Sequence, residues 1–367
     1  MAELEIPSYF LCPISYQIMK DPVTLSTGIT YDRSSIQQWI FAGKHDTCPV
    51  TNQLLSSRDL TPNHTLRRLI QAWCVANAVE RVPTPRQPID RAHIARIVDK
   101  ARSSTQFQLS CLQQLKSIAS ESEINRSCIE NSEAVEFLAS VVSISGNNNG
   151  CDDSVNEALE ILSKLQISDQ ALIDLVSRFD DLIDSLTKIL NQSNHTSRTN
   201  ALILLKSIVQ VISPARLMAV REDLFLGVVK MLRDKISIKA TKSALETLIG
   251  VCSWGRNRIK ASRSGAVHVL IEILIDCENE RRVNEMALVV LDKLSSCAEG
   301  RAEIVKHAAG IAAVSRSILR VSATGNERAV RVLWSVARYS ATAAVVQEMM
   351  QVGAVAKLKR RRWGGRF

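Results

Sequence analysis

Hydrophobic positions change rhythm once along this chain. From residue 90 to 358 they recur at helical spacing with short polar breaks. Over residues 5–79 they fall in short clusters between turn residues. Proline marks the same division. Eight of the nine prolines lie at or before position 88, and only Pro214 follows. Proline removes a backbone donor and breaks helix interiors. The pattern therefore predicts a loop-rich unit over 5–79 and a nearly continuous helical array over 90–358. Between them Glu80-Arg-Val-Pro-Thr-Pro-Arg-Gln-Pro88 reads as a stiff linker, 80–89, and a basic tail over 359–367 closes the chain.

The array repeats itself. Small alanines stand at 158, 201, 244, 287 and 329, each followed by an apolar residue and preceded by a polar one, except Met286, at intervals of 43, 43, 43 and 42. Gly265-Ala-Val267, Gly310-Ile-Ala312 and Gly353-Ala-Val355 give a second register, 45 and 43 apart. A period near 43 is that of helical solenoid repeats. Each repeat reads as a short first helix, a second opening at Gly-Ala-Val, and a third carrying the alanine where helices approach closely. Ser154-Val-Asn-Glu157 and Thr324-Gly-Asn-Glu327 read as capping boxes. Gly146-Asn-Asn-Asn-Gly150 reads as an inserted polar loop. About five complete repeats are expected between 121 and 341, with 90–120 as an N-terminal cap and a sixth repeat cut short by the tail.

In the first unit, Lys20-Asp-Pro-Val-Thr-Leu25 and Thr30-Tyr31 read as a small hairpin turned by Ser26-Thr-Gly-Ile29. Asp32 is expected to cap a helix carrying Ile36, Trp39 and Ile40 and ending at Gly43. Another strand is expected near Leu54-Leu55. Thr61-Pro62 is expected to open a last helix with Leu66, Leu69, Ile70 and Trp73 on one stripe. The expected core is Leu11, Ile18, Met19, Val23, Leu25, Ile29, Ile36, Ile40, Leu54, Leu60, Leu66, Leu69 and Ile70.

Composition narrows the classes. No apolar run approaches the roughly 18 residues of a membrane span, and the acidic start Met-Ala-Glu-Leu-Glu is unlike a signal peptide. Nine cysteines without paired spacing suit a reducing compartment, which implies the cytoplasm. The net charge of +9 suggests nucleic acid at first. Six of those charges are in Lys357 to Phe367, and without them the rest carries +3, so no nucleic-acid surface is expected. The Lys359-Arg-Arg-Arg362 cluster is read as an atypical terminus, with a nuclear signal as the alternative.

Candidate chemistry centres on two short stretches, Phe10-Leu-Cys-Pro-Ile-Ser15 and Cys48-Pro-Val-Thr51. Each looks like a Cys-x-x-Cys zinc knuckle whose second cysteine has become a hydroxyl, Ser15 or Thr51. A structural zinc site needs four thiolate or imidazole ligands, so no metal is expected here. Zinc contributes roughly 10–16 kcal/mol to folding such a domain, whereas a hydrogen bond nets about 1 kcal/mol. Apolar burial must supply the difference, helped by a polar network of Ser15, Tyr31, Asp32, Arg33, Thr51 and neighbours. Cys12 lacks a nearby histidine and reads as a buried structural thiol, and His45 and His64 read as surface residues. Trp39, by spacing alone, reads as core.

These stretches, with Met19-Lys-Asp-Pro-Val23, Ser26-Thr-Gly-Ile-Thr-Tyr-Asp-Arg33, Leu60-Thr-Pro-Asn63 and Leu66-Arg-Arg-Leu-Ile70, resemble the U-box, the metal-free relative of the RING domain. The following repeats resemble armadillo repeats. The implied fold is a small α+β U-box followed by an all-α armadillo solenoid, an order that resembles a large plant family of E3 ubiquitin ligases. That resemblance implies that the U-box binds a ubiquitin-charged conjugating enzyme (E2) and positions it, without a covalent intermediate or a cofactor, for transfer to a lysine of a substrate held by the repeats. It implies Ile14, Tyr16, Trp39 and Pro49 as the E2-binding patch and Asn52, an uncharged donor, at the place where some relatives contact ubiquitin and E2 together. It implies structural roles for Cys12, Ser15, Tyr31, Asp32, Arg33, Cys48 and Thr51. The compact N-terminus resembles the branch acting in stress and immune signalling, often as negative regulators. Such proteins often dimerise, so a homodimer is among the implied partners, although no coiled coil is visible. Trp254 and Trp334 do not form the tryptophan–asparagine ladder of nuclear-import armadillo grooves. Asn156, Glu160 and Asn200 are candidate groove residues. The alternative reading is a non-catalytic armadillo adaptor with a weakened U-box.

Overall fold

A computed structural model describes residues 6–42, 45–77, 90–145, 153–192, 194–276, 280–318 and 320–356. The linker, the ends of the expected helix and loop at Gly43 and 146–150, and the basic tail lie outside the described residues. The chain divides into two compact units, Met1–Ile89 and Asp90–Phe367.

In the first unit β-branched and aromatic residues build a minimal sheet. β1 (Pro22–Thr24) pairs antiparallel with β2 (Thr30–Asp32), placing Val23 opposite Tyr31 and Thr24 opposite Thr30. Gly28, at φ +79°, makes the turn between them. β3 (Thr61–Pro62) adds to the other edge of β1. Thr61-Pro62 is therefore strand, not the expected helix start. Proline is tolerated on an edge strand, and the neighbouring Asn63 amide bonds Pro22 O. The helix starts at His64 as α2 (His64–Ala76), with Asn63 Oδ1 accepting from Leu66 N at 3.0 Å. α1 (Arg33–Gln37) continues as a π-turn over Gln38–Ala42. The expected strand near Leu54 is a single bridge, Thr47 to Leu54.

The core of this unit is Phe10, Cys12, Met19, Val23, Leu25, Tyr31, Ile36, Ile40, Cys48, Ile70 and Cys74. Two expected core residues are surface: Leu54 is 78% and Leu69 53% exposed. Phe10, not among the expected core residues, is 3% exposed and lies edge-on to Trp73 at 5.9 Å.

The second unit stacks helices in threes. α3 (Arg91–Ser103) and α4 (Thr105–Glu121) precede the first triplet. The triplets are α5 (Glu123–Glu130), α6 (Ala134–Ser145) and α7 (Asp153–Lys164); α8 (Asp169–Arg178), α9 (Leu182–Leu190) and α10 (His195–Val211); α11 (Pro214–Ala219), α12 (Glu222–Asp234) and α13 (Ile238–Val251). Next come α14 (Gly255–Arg263), α15 (Ala266–Asp276) and α16 (Arg281–Ser295), then α17 (Ala298–Lys306), α18 (Gly310–Ser317) and α19 (Ala323–Tyr339). α20 (Ala343–Gln351) and the left-handed turn at Gly353 begin a sixth.

The five periodic alanines are fully buried, at the seams where successive third helices meet. Any larger side chain there forces those helices apart. Gly310 is required by contact: a Cβ there would sit 2.0 Å from Ile304 O. Side-chain caps from Asp90, Ser104, Ser122, Ser168, Asn194, Ser237, Ser322 and Thr342 start their helices. Ser322, not Thr324, caps α19, two residues before the expected capping box, and Ser154 lies inside α7. Arg198, 2% exposed, ties repeats together by donating to Leu190 O at 2.9 Å and pairing with Asp234 at 2.6 Å.

Candidate E2-binding site: two thiol–hydroxyl loops held by one strand

Cys12–Gln17 and Cys48–Gln53 fold alike. In each, the cysteine N–H donates to the carbonyl five residues on, Gln17 O or Gln53 O, at 2.9 Å. Its carbonyl accepts from the amide four residues on, Tyr16 N or Asn52 N, at 2.8 Å. That fourth residue turns left-handed in both loops: Tyr16 has φ 54° and Asn52 φ 56°. Asn tolerates this region, while Tyr carries strain. Bridges Leu11–Ile18 and Thr47–Leu54 close the two bases. Asn52 thus has a local backbone reason for its identity, which its position in the sequence did not reveal.

The hydroxyls that stand in place of second cysteines bond the remaining thiols: Ser15 reaches Cys12 and Thr51 reaches Cys48. Both thiols are fully buried. β2 then tethers both loops through neighbouring residues. The Asp32 backbone N–H donates to Cys12 Sγ at 3.3 Å. The Tyr31 hydroxyl lies 3.0 Å from Cys48 Sγ and accepts from Val50 N at 3.3 Å. Thr27 Oγ1 adds a third hydroxyl to Cys48 at 3.4 Å.

These contacts set the acidities. Burial raises the Cys48 thiol, but hydrogen bonds from Thr27, Thr51 and Tyr31 outweigh it and bring the thiol down to about 6. Burial and then the Cys48 sulfur push Tyr31 up, so Tyr31 keeps its proton and donates it to sulfur. Cys12 is also raised by burial and lowered on balance, by Ser15, Asp32 and Ile14 backbone groups and the Ser15 hydroxyl. Where zinc would balance thiolates, hydroxyl and amide dipoles do so here.

Asp32 does not cap α1 with its side chain, contrary to expectation. Its Oδ1 instead accepts from Lys20 N at 2.7 Å and Asp21 N at 2.9 Å, and its Oδ2 from Ser34 at 2.6 Å. Those amides belong to the chain entering β1, so the carboxylate fixes the hairpin rather than the helix. Arg33 Nε pairs with Asp21 at 2.5 Å, both largely buried. Asp21, in the Lys20-Asp-Pro stretch, is a partner that the sequence pattern does not reveal.

Trp39 is both core and surface. Its ring is half-buried against the cluster, its Nε1–H donates to Thr47 O at 2.9 Å, and His45 stacks on it at 4.2 Å. It thereby fixes the start of the second loop. Ile14 packs partly on the core, Pro49 is half-buried, and Tyr16 is 79% exposed. Val50, 53% exposed beside Pro49, is an apolar surface residue that sequence reading passed over.

In the solenoid, Asn156, Glu160 and Asn200 are not free groove groups. They bond Ser197, Lys116 with Lys164, and Ser163 respectively. Among the described residues one His/Glu cluster has metal-like proximity, His268, Glu272 and His307, its ligand atoms within 4.8 Å of one another. The Ala309 amide donates to His307 Nδ1, which leaves the proton on Nε2 to bond Glu272 at 3.0 Å. A metal would have to displace that proton, so the cluster reads as a tie between α15 and the turn after α17.

Residues 6–79 match the family model of the U-box domain, and residues 93–359 match that of the plant U-box protein ARM repeat region. The chain is similar to E3 ubiquitin-protein ligase PUB23 of Arabidopsis thaliana, 50% identical over 97% of this chain and 88% of that protein. It is similar to PUB22 of the same plant, also named an E3 ubiquitin-protein ligase, at 47% over 97% and 89%. A computationally designed armadillo repeat protein matches 66% of this chain and 99% of its own at a TM-score of 0.52 and 16% identity, a likeness of fold alone.

Proposed function

Because this chain belongs to the plant U-box protein family with armadillo repeats and is a U-box E3 ubiquitin transferase, we propose that its two loops receive a ubiquitin-charged E2 while the repeats hold the protein to be modified. The observation that supports this is the pair of matched loops, both anchored to β2, which leaves Tyr16 and Val50 exposed and Ile14, Trp39 and Pro49 at the rim. Buried thiols bonded to hydroxyls do the holding, and apolar side chains are left for contact. Nothing covalent is asked of the protein. The patch orients a thioester and raises the effective concentration of the acceptor lysine. Asn52 lends an uncharged donor beside the second loop. Family resemblance further supports a role in stress or immune signalling and homodimerisation, while the unpaired cysteines support a cytoplasmic location and the Lys359–Arg362 cluster a nuclear fraction.

The test is reconstitution with activating enzyme, a panel of E2s, ubiquitin and ATP. Self-ubiquitination is expected with at least one E2, and Trp39→Ala is expected to abolish it while circular dichroism of the repeats is unchanged. A wild-type protein silent across the panel overturns the proposal and favours the adaptor reading. Undiminished activity in Trp39→Ala overturns the assigned patch.

A further inference from the structure

Polar side chains join α4 to α7, α7 to α10, α10 to α13 and α16 to α19. Lys116 of α4 pairs with Glu157 and Glu160 of α7 at 2.9 and 2.8 Å. Ser163 of α7 bonds Asn200 of α10 at 3.2 Å. Lys206 of α10 pairs with Glu246 of α13 at 3.4 Å. Asp292 of α16 accepts from Arg328 and Arg331 of α19 at 2.8 and 3.2 Å. Ser163, Lys206 and Asp292 each lie five residues after their periodic alanine, while on α13 that place is the apolar Ile249. On α19 that place is Trp334.

Trp334 is 51% exposed. Its surroundings are basic and aromatic. Arg338 lies over the Trp334 ring at 5.0 Å and over Tyr339 at 5.5 Å. Arg301 covers the Tyr339 ring at 5.0 Å, and Tyr339 is 58% exposed. Stacking orders both guanidiniums, and Arg301 Nη1 also donates to Ser295 O at 2.9 Å. Among the described residues Arg338 has no acidic partner, and Arg328 with Arg331 share the single carboxylate of Asp292. Glu327 is the one acid within α19. Tryptophan, tyrosine and arginine held rigid at a surface are the residue types that carry most binding energy at protein interfaces.

We propose that the Trp334–Arg338–Tyr339 face of α19 is the docking site for an acidic segment of a protein partner that carries an apolar anchor side chain. The anchor covers the Trp334 ring, and its flanking carboxylates meet Arg338, Arg331 and Arg301, the charge sign that Lys116 and Lys206 take as their partner earlier in the array. This deepens the reading of the repeats as client-holding and rests on it.

The probe is a fluorescein-labelled peptide Asp-Glu-Asp-Leu-Phe-Glu-Asp-Glu, with a counterpart in which lysine replaces every acid, titrated by anisotropy against the full chain. The acidic probe is expected to bind, more weakly as salt rises, and the lysine counterpart not to bind. Trp334→Ala and Arg338→Glu are each expected to weaken binding by about tenfold or more. Arg233→Glu, on the exposed side of α12, is expected to change it less than twofold, and Arg338→Lys to lose less than Arg338→Glu. No binding of the acidic probe by the wild type, equal binding by Trp334→Ala, or equal losses in Arg338→Glu and Arg233→Glu overturns the assignment. All variants are assayed for self-ubiquitination, which this face does not serve. Loss of self-ubiquitination in the wild type fails the ligase reading and leaves the docking result standing.

Discussion

Cys48 offers the sharpest check on how the loops are held. The thiol is fully buried, yet three hydroxyls bring it from an ordinary 9.0 to about 6. At about 1.36 kcal/mol per tenfold change in acidity, this preference for the thiolate is worth at most about 4 kcal/mol of folding stability. Below pH 6 the folded and unfolded chains both hold the proton, and the contribution vanishes. Between pH 6 and 9 the unfolded chain binds more protons than the folded one, so stability rises with pH. Above pH 9 the contribution is complete. Cys48→Ser keeps a hydrogen-bonding group but removes the titration. Urea unfolding is followed by fluorescence in a background carrying Trp254→Phe, Trp334→Phe and Trp363→Phe, which leaves Trp39 and Trp73 of the first unit; the difference between this protein and its Cys48→Ser variant cancels every other titrating group to first order. That difference is expected to grow by roughly 2–3.5 kcal/mol from pH 5.5 to 9. Thiolate absorbance at 240 nm in the folded protein at pH 7.5, lost in Cys48→Ser, gives the direct reading. A difference that stays flat, or shrinks as pH rises, refutes the reasoning. It would mean that Cys48 is a neutral thiol in the folded unit and that its sulfur donates.

Three further outcomes follow from the same geometry. Tyr16→Ala removes an exposed ring and relieves a left-handed tyrosine only in part, so thermal stability is expected to move by less than about 0.5 kcal/mol, while ubiquitin transfer falls about tenfold in the reconstituted assay. Arg33→Ala leaves the Asp21 carboxylate largely buried without its cation and is expected to cost about 3 kcal/mol in urea unfolding; an effect under 0.5 kcal/mol would show the pair to be ornamental. Ala244→Leu inserts volume into a fully buried position on α13 and is expected to destabilise the repeats by about 1–3 kcal/mol, seen in the loss of helical circular dichroism and not in the fluorescence of the first unit's tryptophans.

The repeat period, the helical array and the hairpin were legible because each is written in local pattern. An alanine every 43 residues survives in sequence because close helix approach admits nothing larger at that position. The placement of individual side chains was less legible. Leu54 and Leu69 have core chemistry but surface positions, since Phe10, Tyr31 and Cys48 already fill the small interior. Asp32 stands at a helix start, where a cap is its local preference, and yet it serves the backbone of Lys20 and Asp21, which only the folded hairpin brings within reach. Asn156 and Glu160 on α7 and Asn200 on α10 look like free polar groups and prove to be joined to neighbouring helices.

From sequence alone, the pairing of each loop cysteine with a hydroxyl three residues later was already visible, and with it the absence of a zinc ligand set. Tertiary structure decided that Tyr31 and Asp32, adjacent on one strand, hold the two sulfurs, and that both loops turn left-handed at the same place. The division has a physical cause. Residue type and spacing report interactions over a few residues, where chain connectivity keeps partners together. A hydroxyl 17 residues from its sulfur, or a tryptophan exposed because of which helices surround it, depends on which segments the hydrophobic core brings side by side.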